Sequence, residues 1–345
     1  MKSPCLLILL FTPPTQAILR LKFQHWFPQY EQHWVKAATV CEQELENYVH
    51  ANRTDIHSPC AAAADCLLRN ITGTIQSNFA SAQVLLGLVP TILVFLGPSI
   101  AEVTALSTYR PLLAILLSLG SPAVNVGKVF RHVDVEEPFV RPVSSSSKLW
   151  SSWFTRQNTM MRNSLEALSY MAALAAIANN VRNSMYTDLR TISGWRCGAS
   201  FILLAWSLLA VIVHGWGALA VRFRLQGGYK PSIHSMIRST TFRRVSRGKD
   251  NTLSEVLFWL ASLCAIVHMI LGVFELSSLM FISALEALQV FIMYAISALL
   301  CQLILLCELA KMREEVSKEA DDGTASSGTK QPAGETVDLF KAHTI

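Results

Sequence analysis

The chain has 345 residues, of which 52% are hydrophobic and only 15% are charged. Soluble domains carry about a quarter charged residues, and here the apolar residues fall in long blocks, so composition excludes a soluble globular protein. The net charge is +5, with no nucleic-acid-binding motif beside the basic residues. This excludes nucleic acid as a partner and leaves the lipid bilayer.

Residues 1–17 resemble a secretory signal peptide. Lys2 precedes a short apolar stretch, and the small residues Thr15 and Ala17 stand before a cleavage point. The apolar stretch is at the short limit for such a signal, so the alternative is an uncleaved start that does not span the membrane.

Residues 18–81 have the composition of a soluble segment. Asn52 and Asn70 each begin an Asn-x-Thr sequon and are the predicted glycosylation sites. Together with the signal-like start, these sequons predict that the segment lies on the lumenal or extracellular side of the membrane.

Four cysteines are predicted to form disulfides on that side. Cys41, Cys60 and Cys66 lie within the lumenal segment, in a compartment where thiols become oxidised. Three is an odd number, and Cys197, at the start of a later span, is the fourth. Three pairings are then open, and the sequence does not choose among them.

The fold prediction is all-α: a polytopic transmembrane helical bundle with about five crossings and one short re-entrant or interfacial helix. The transmembrane domain covers 82–309. The crossings are predicted at about 83–97, 164–181, 199–221, 253–275 and 279–308, and the re-entrant helix at 111–126. Residues 310–345 follow as a cytoplasmic tail, disordered from about 321.

Charge predicts the orientation. Loop 222–249 carries eight basic residues and no acid, so it is predicted to be cytoplasmic. An outside N-terminus then requires an odd number of crossings before this loop, although four apolar runs precede it. Either 111–126 or 165–179 therefore fails to cross. The distribution of basic residues favours 111–126, whereas the higher leucine content of that run favours the opposite choice.

Ionisable residues inside spans are costly and are the candidate site residues. His268 lies nine residues before the predicted turn at Ser277 and Glu286 nine after it, so both are about 13 Å deep. We predict a His268–Glu286 contact, which is either a structural clasp worth about 1 kcal/mol or less or a pair that relays protons or binds a cation. His214, about 21 Å deep, and Glu275, at the turn, are further polar candidates.

The basic loop is a second candidate site. Arg243-Arg-Val-Ser246 resembles a kinase substrate, so Ser246 is a predicted phosphosite in a loop that attracts anionic lipid. The alternative is that the loop is only an orientation signal. No catalytic signature, metal-ligand cluster or nucleotide-binding loop occurs in the sequence, so we expect no catalytic residue, metal or cofactor.

The stretch Gly97-Pro-Ser-Ile-Ala-Glu102, the element Arg110-Pro-Leu-Leu and the dipeptide Val213-His214 resemble those of fungal multipass membrane proteins with a cysteine-bearing lumenal N-terminal segment. The resemblance implies an architecture and no mechanism.

Two functions follow as expectations. The first is a non-enzymatic scaffold or sensor in the plasma membrane or a secretory-pathway membrane, with its N-terminus outside and its C-terminus in the cytoplasm. The second is a small-solute or ion transporter or channel that uses the intramembrane His and Glu residues. The sequence has no internal repeat and few intramembrane charges, and both observations count against transport.

Overall fold

The computed structural model describes residues 22–51, 56–125, 159–224 and 252–327. The helices are α1 (Glu31–Val40), α2 (Glu42–His50), α3 (His57–Arg69), α4 (Gly73–Leu96), α5 (Ile100–Tyr109), α6 (Pro111–Gly120), α7 (Thr159–Arg190), α8 (Ile202–Arg224), α9 (Thr252–Ser277) and α10 (Ala284–Ser327). Two short antiparallel strands, β1 (Ile192–Ser193) and β2 (Leu279–Met280), complete the described fold. The signal-like start, Asn52, Ser246 and most of the basic loop lie outside the described residues.

Four of the described helices are long and apolar enough to cross a membrane. They are α4, residues Ile202–Phe223 of α8, α9, and residues Ala284–Arg313 of α10. Large apolar side chains such as Leu263 and Leu303 remain more than half exposed on the outside of the bundle, where they contact lipid. The predicted all-α polytopic bundle is therefore confirmed. Helix α7, on the predicted span 164–181, has 32 residues but is richer in polar side chains.

Residues 22–51 and 56–69 form what we call the outer cap, which sits at one end of the bundle. We call that end the outer end and the opposite one the inner end. Disulfides join Cys41 to Cys66 within the cap and Cys60 to Cys197 at the start of the chain leading into α8. Trp34, 1% exposed, stacks on Trp26 at 5.1 Å between ring centroids. A unit this small buries little apolar area, so cross-links contribute much of its stability.

Helix α4 and helix α5 together make one discontinuous passage through the bundle. A Cβ placed on Gly87 would lie 3.1 Å from the Ser277 Cβ, so the middle of α4 is level with the outer end of α9. The remainder of α4 extends only about 14 Å further inward before it stops at Gly97. A Cβ on Gly97 would lie 2.7 Å from the Ala123 carbonyl oxygen, so this break requires glycine.

Helix α5 starts at the level of the break and runs to the inner end. Ser99 and Glu102 form a capping box: the Ser99 hydroxyl accepts from the Glu102 N–H at 3.3 Å. This cap satisfies backbone donors that have no water available inside a bundle.

Helix α6 is a short apolar helix within the predicted re-entrant segment. It begins at Pro111, at the inner end, and finishes at Gly120, where a Cβ would lie 2.8 Å from the Cys301 sulfur. The chain then turns back beside the break, where the Asn125 N–H donates to the Pro98 carbonyl at 3.0 Å. The predicted segment 111–126 thus contains a helix of ten residues that stops inside the bundle.

Two predicted boundaries of the last helix differ from the structure. The final span was predicted to start at 279, but Leu279 and Met280 pair with β1 and α10 begins at Ala284. At the other end α10 continues to Ser327, six residues past the position at which the tail was predicted to be disordered.

Candidate functional site: the polar interior of the bundle

Helix α7 carries a row of polar side chains into the bundle. The Asn179 side-chain amide donates to the Met293 carbonyl and to the Ser297 hydroxyl, both at 2.8 Å. The Asn183 amide donates to the Val290 carbonyl at 3.0 Å. These bonds attach α7 to α10 along two turns, because residues four apart lie on one face of a helix.

The same row reaches two further helices. The Asn180 amide donates to the Leu119 carbonyl of α6 at 3.1 Å. The Ser184 hydroxyl lies 2.9 Å from the Tyr294 hydroxyl and 3.2 Å from the Ser207 hydroxyl of α8. Polar contacts of this kind hold helices together where lipid removes the hydrophobic driving force, each worth about 0.6 kcal/mol.

The outward face of α7 is apolar. Leu168, Met171 and Leu174 are 61%, 64% and 49% exposed and follow one another at helical spacing. Helix α7 is therefore amphipathic in the sense opposite to a helix on a soluble protein: its polar face is buried and its apolar face is outside.

His268 binds Trp206 and not Glu286. A ring nitrogen of His268 (Nε2) lies 3.0 Å from the Trp206 carbonyl oxygen, and the Trp206 indole N–H donates to the His268 carbonyl at 3.0 Å. The two rings are stacked with centroids 5.4 Å apart. This reciprocal contact joins α8 to α9.

The predicted His268–Glu286 pair is wrong. Glu286 lies in the first turn of α10, where its carboxylate accepts from the Ser283 hydroxyl at 2.8 Å and from the Gln29 backbone N–H at 2.8 Å. The depth argument placed α10 directly after the turn, whereas residues 278–283 form β2 and its flanking loop. Glu286 is therefore at the outer end, and His268 is nine residues below the outer end of α9.

Glu275 belongs to the outer end as well. Its carboxylate accepts from the Trp195 indole N–H at 2.8 Å. Nearby, the Lys22 ammonium lies 3.3 Å from the Asp188 carboxylate and donates to the Thr191 carbonyl at 3.1 Å. Burial lowers the pKa of Lys22, and the Asp188 carboxylate opposes that shift. These contacts attach the start of the outer cap to the end of α7.

A buried ionic cluster closes the inner end. Arg110 lies 3.2 Å from a Glu166 carboxylate oxygen and 3.3 Å from a Glu308 carboxylate oxygen. Lys311 lies 2.7 Å from the other oxygen of Glu308, whose side chain is only 1% exposed. Among the described residues, two cations and two carboxylates balance here, which buried charge requires.

His214 differs from His268 in having no partner among the described residues. It is 2% exposed, and neither ring nitrogen is within hydrogen-bonding distance of a protein group. Its ring lines a cavity of about 220 Å³ between α5, α6 and α8. His214 lies about halfway along α8.

The remaining predicted residues lie in the outer cap. Asn70 is exposed, and its side-chain amide donates to the Cys66 carbonyl at 2.9 Å. The Glu44 carboxylate lies close to the Cys41 and Cys66 sulfurs, but those sulfurs are bonded to each other. That trio therefore offers no thiolate ligands for a metal.

Sequence reasoning missed the ionic clusters and the α7 row. A signal for the row existed: pairs of polar residues recur every four positions at Asn179-Asn180, Asn183-Ser184 and Thr187-Asp188.

Comparison with protein-family models, curated proteins and solved structures finds no match to this chain.

Proposed function

We propose that this protein is a non-enzymatic membrane sensor or scaffold in which the outer cap and the bundle move as one unit. The observation that carries the proposal is the set of links between them. Cys60 is bonded to Cys197, Lys22 is paired with Asp188, and the Gln29 N–H donates to Glu286. A ligand or load on the cap is therefore transmitted to the outer ends of α7, α8 and α10.

The polar interior supports the same proposal. The amide groups of Asn179, Asn180 and Asn183 donate to neighbouring helices, and His268 binds Trp206. Groups committed to protein partners hold helices in place and are not free to bind a passing solute.

For the topology we propose five crossings: the α4–α5 passage, α7, α8, α9 and α10. The apolar outer face of α7, with Leu168, Met171 and Leu174 exposed, supports α7 as a crossing despite its polar composition. An odd number of crossings puts the two termini on opposite sides of the membrane, and the charge of the basic loop places the N-terminus outside and the C-terminus in the cytoplasm. Asn52 and Asn70 are then accessible to glycosylation. The basic loop 222–249, with Ser246, then faces the cytoplasm beside anionic lipid.

We also propose that the chain belongs with the fungal proteins that it resembles, in the plasma membrane or a secretory-pathway membrane.

Hydrogen exchange on the full chain in lipid nanodiscs tests the coupling. Replacing the cap-to-bundle disulfide, Cys60→Ser with Cys197→Ser, should raise amide exchange at the outer ends of α8 and α10. The matched control, Cys41→Ser with Cys66→Ser, removes a disulfide inside the cap and should raise exchange only in α1–α3. Equal and purely local effects of the two pairs would show that the cap is independent of the bundle.

A second candidate function is transport. Two observations favour it: the crossing broken at Gly97, and the half-length helix α6 that ends beside the break. Discontinuous helices of this kind line substrate sites in transporters. A transporter built on a His268–Glu286 pair is excluded by the positions of these residues. Solute or ion flux into proteoliposomes that is lost when Gly97→Val distorts the break would favour transport over the sensor.

A further inference from the structure

The cavity beside His214 runs along one face of α8 toward the inner end of the bundle. On α8, Val211, His214, Ala218 and Arg222 follow at intervals of three or four residues and face it. His214 and Arg222 are eight residues apart, so about 12 Å separates the deep end of the cavity from its mouth at the inner end of α8.

The walls between these two residues are mostly apolar, and two of the lining residues are exposed on the outside of the bundle. Val103 of α5 and Ala114 of α6 form part of the wall. Ile115 of α6 and Leu219 of α8 also line it and are 50% and 37% exposed on the outside of the bundle. A chain of apolar atoms can leave the cavity sideways between these two residues and enter the hydrocarbon of the bilayer.

The deep end has polar groups without partners. An imidazole always carries a hydrogen-bonding group on each nitrogen, and both nitrogens of His214 are buried and unpaired among the described residues. A buried polar group left unpaired costs about 1–3 kcal/mol, so this position favours a ligand that supplies hydroxyl or carbonyl oxygen.

The two serines of the wall cannot serve His214 as donors. The Ser107 hydroxyl donates to the Thr104 carbonyl at 2.7 Å, and the Ser118 hydroxyl donates to the Ala114 carbonyl at 2.8 Å. Their hydrogens are therefore already used within their own helices.

The mouth carries a cation without a counter-charge. Arg222 is exposed and has no ion pair among the described residues. Side chains on helices lean toward the N-terminal turn, so the guanidinium of Arg222 reaches toward His214 and shortens the gap. Arginine binds phosphate with paired, charge-assisted hydrogen bonds.

We propose that the cavity binds a single-chain anionic glycerophospholipid from the adjacent leaflet. The phosphate lies on Arg222, the glycerol hydroxyl or ester carbonyl bonds to His214, and the acyl chain leaves between Ile115 and Leu219. A cavity of about 220 Å³ has no room for two acyl chains beside the glycerol. A fatty acid is a poorer fit, because with its carboxylate on Arg222 it has no second polar group for His214. This inference does not depend on the sensor proposal.

The test uses the full chain in nanodiscs of zwitterionic lipid, with a lysophosphatidic acid that carries a photoreactive group on its chain. The expected result is covalent labelling of α6 or α8 peptides, displaced by unlabelled lysophosphatidic acid. Monoacylglycerol, the free fatty acid and glycerol phosphate of matched structure should each displace it at least about tenfold less well, since each lacks one of the three contacts.

Variants separate this site from lipid held elsewhere. Ala218→Phe fills the cavity and should abolish labelling, and Arg222→Gln should weaken it about tenfold while Arg222→Lys retains it. Arg182→Gln, at an exposed arginine of α7 outside the cavity, is the matched control and should change nothing. His214→Leu should weaken displacement by lysophosphatidic acid but not by the fatty acid. If this variant fails to fold, the Ala218 and Arg222 variants keep His214 and still test whether the cavity binds the lipid. Labelling that survives both Ala218→Phe and Arg222→Gln, or a fatty acid that competes as well as lysophosphatidic acid, would overturn the proposal.

Discussion

The buried ionic cluster at the inner end gives the most quantitative prediction. Arg110, Glu166, Glu308 and Lys311 carry two positive and two negative charges, with side chains 9%, 23%, 1% and 20% exposed. Replacing Arg110 with Met leaves a surplus negative charge next to Glu308, and replacing Glu308 with Leu leaves a surplus positive charge. Each single variant should lower the free energy of unfolding by about 3–5 kcal/mol, the cost of leaving a buried charge without its partner.

The double variant should cost much less than the sum of the two. With Arg110→Met and Glu308→Leu combined, one carboxylate (Glu166) and one ammonium (Lys311) remain, so the charge stays balanced. The coupling energy should therefore be about 2 kcal/mol or more, within the range found for residues in one network. We would measure unfolding by titration with a denaturing detergent in mixed micelles, together with thermal unfolding in nanodiscs.

Additive single and double variants would refute this reasoning. Additivity would mean that Arg110 and Glu308 are each solvated independently, and that the distances at the inner end do not correspond to an electrostatic unit. Glu42→Gln, on the surface of α2 in the outer cap, is the control for a general effect of removing a carboxylate and should cost less than about 0.5 kcal/mol.

Two further predictions concern packing and pH. A Cβ on Gly272 would lie 2.5 Å from the Trp206 ring, whereas a Cβ on Gly215 would meet nothing within 4 Å. Gly272→Ala should therefore destabilise α8–α9 packing by about 1–3 kcal/mol, and Gly215→Ala should not. Thermal unfolding measures both effects, and equal effects would contradict the prediction. Burial raises the pKa of Tyr48 to about 12 from its ordinary value near 10, so the folded cap favours the neutral phenol: this stability is complete below pH 10 and is lost as the pH rises toward 12, by about 1.4 kcal/mol per pH unit at most. Tyrosinate absorbance should show that Tyr48→Phe removes one of the late-titrating phenols, and an unchanged titration curve would contradict the burial argument.

The fold class could be predicted from sequence because the spans are set by composition. Runs of about twenty apolar residues have few alternatives to a membrane helix. The choice of 111–126 as the segment that does not cross rests on the balance of basic residues and stays a prediction. The orientation of the chain rests on the same charge argument and stays a prediction. What composition could not supply was the contact of the chain at Gly97 and Pro98 with Ala123 and Asn125, because these residues meet only in three dimensions.

The site residues were harder to predict because depth depends on where each helix starts. His268 and Glu286 are equally far from the middle of the turn in sequence, but β2 displaces the start of α10 and leaves Glu286 at the outer end. The ionic cluster was missed for a related reason. Arg110 and Glu308 each stand at the end of an apolar run, where a charged residue is normally an interfacial group.

The contacts in the bundle are arranged by level, and that arrangement locates the site. At the outer end Lys22 pairs with Asp188, midway His268 pairs with Trp206, and at the inner end Arg110 pairs with Glu308. His214 lies between the second and third of these levels. It is as deeply buried as the others, and a structural role there would call for a partner such as Trp206 provides for His268. Among the described residues, His214 has no partner and the cavity beside it ends at Arg222, which has no ion pair. A ligand that completes both residues explains this arrangement best.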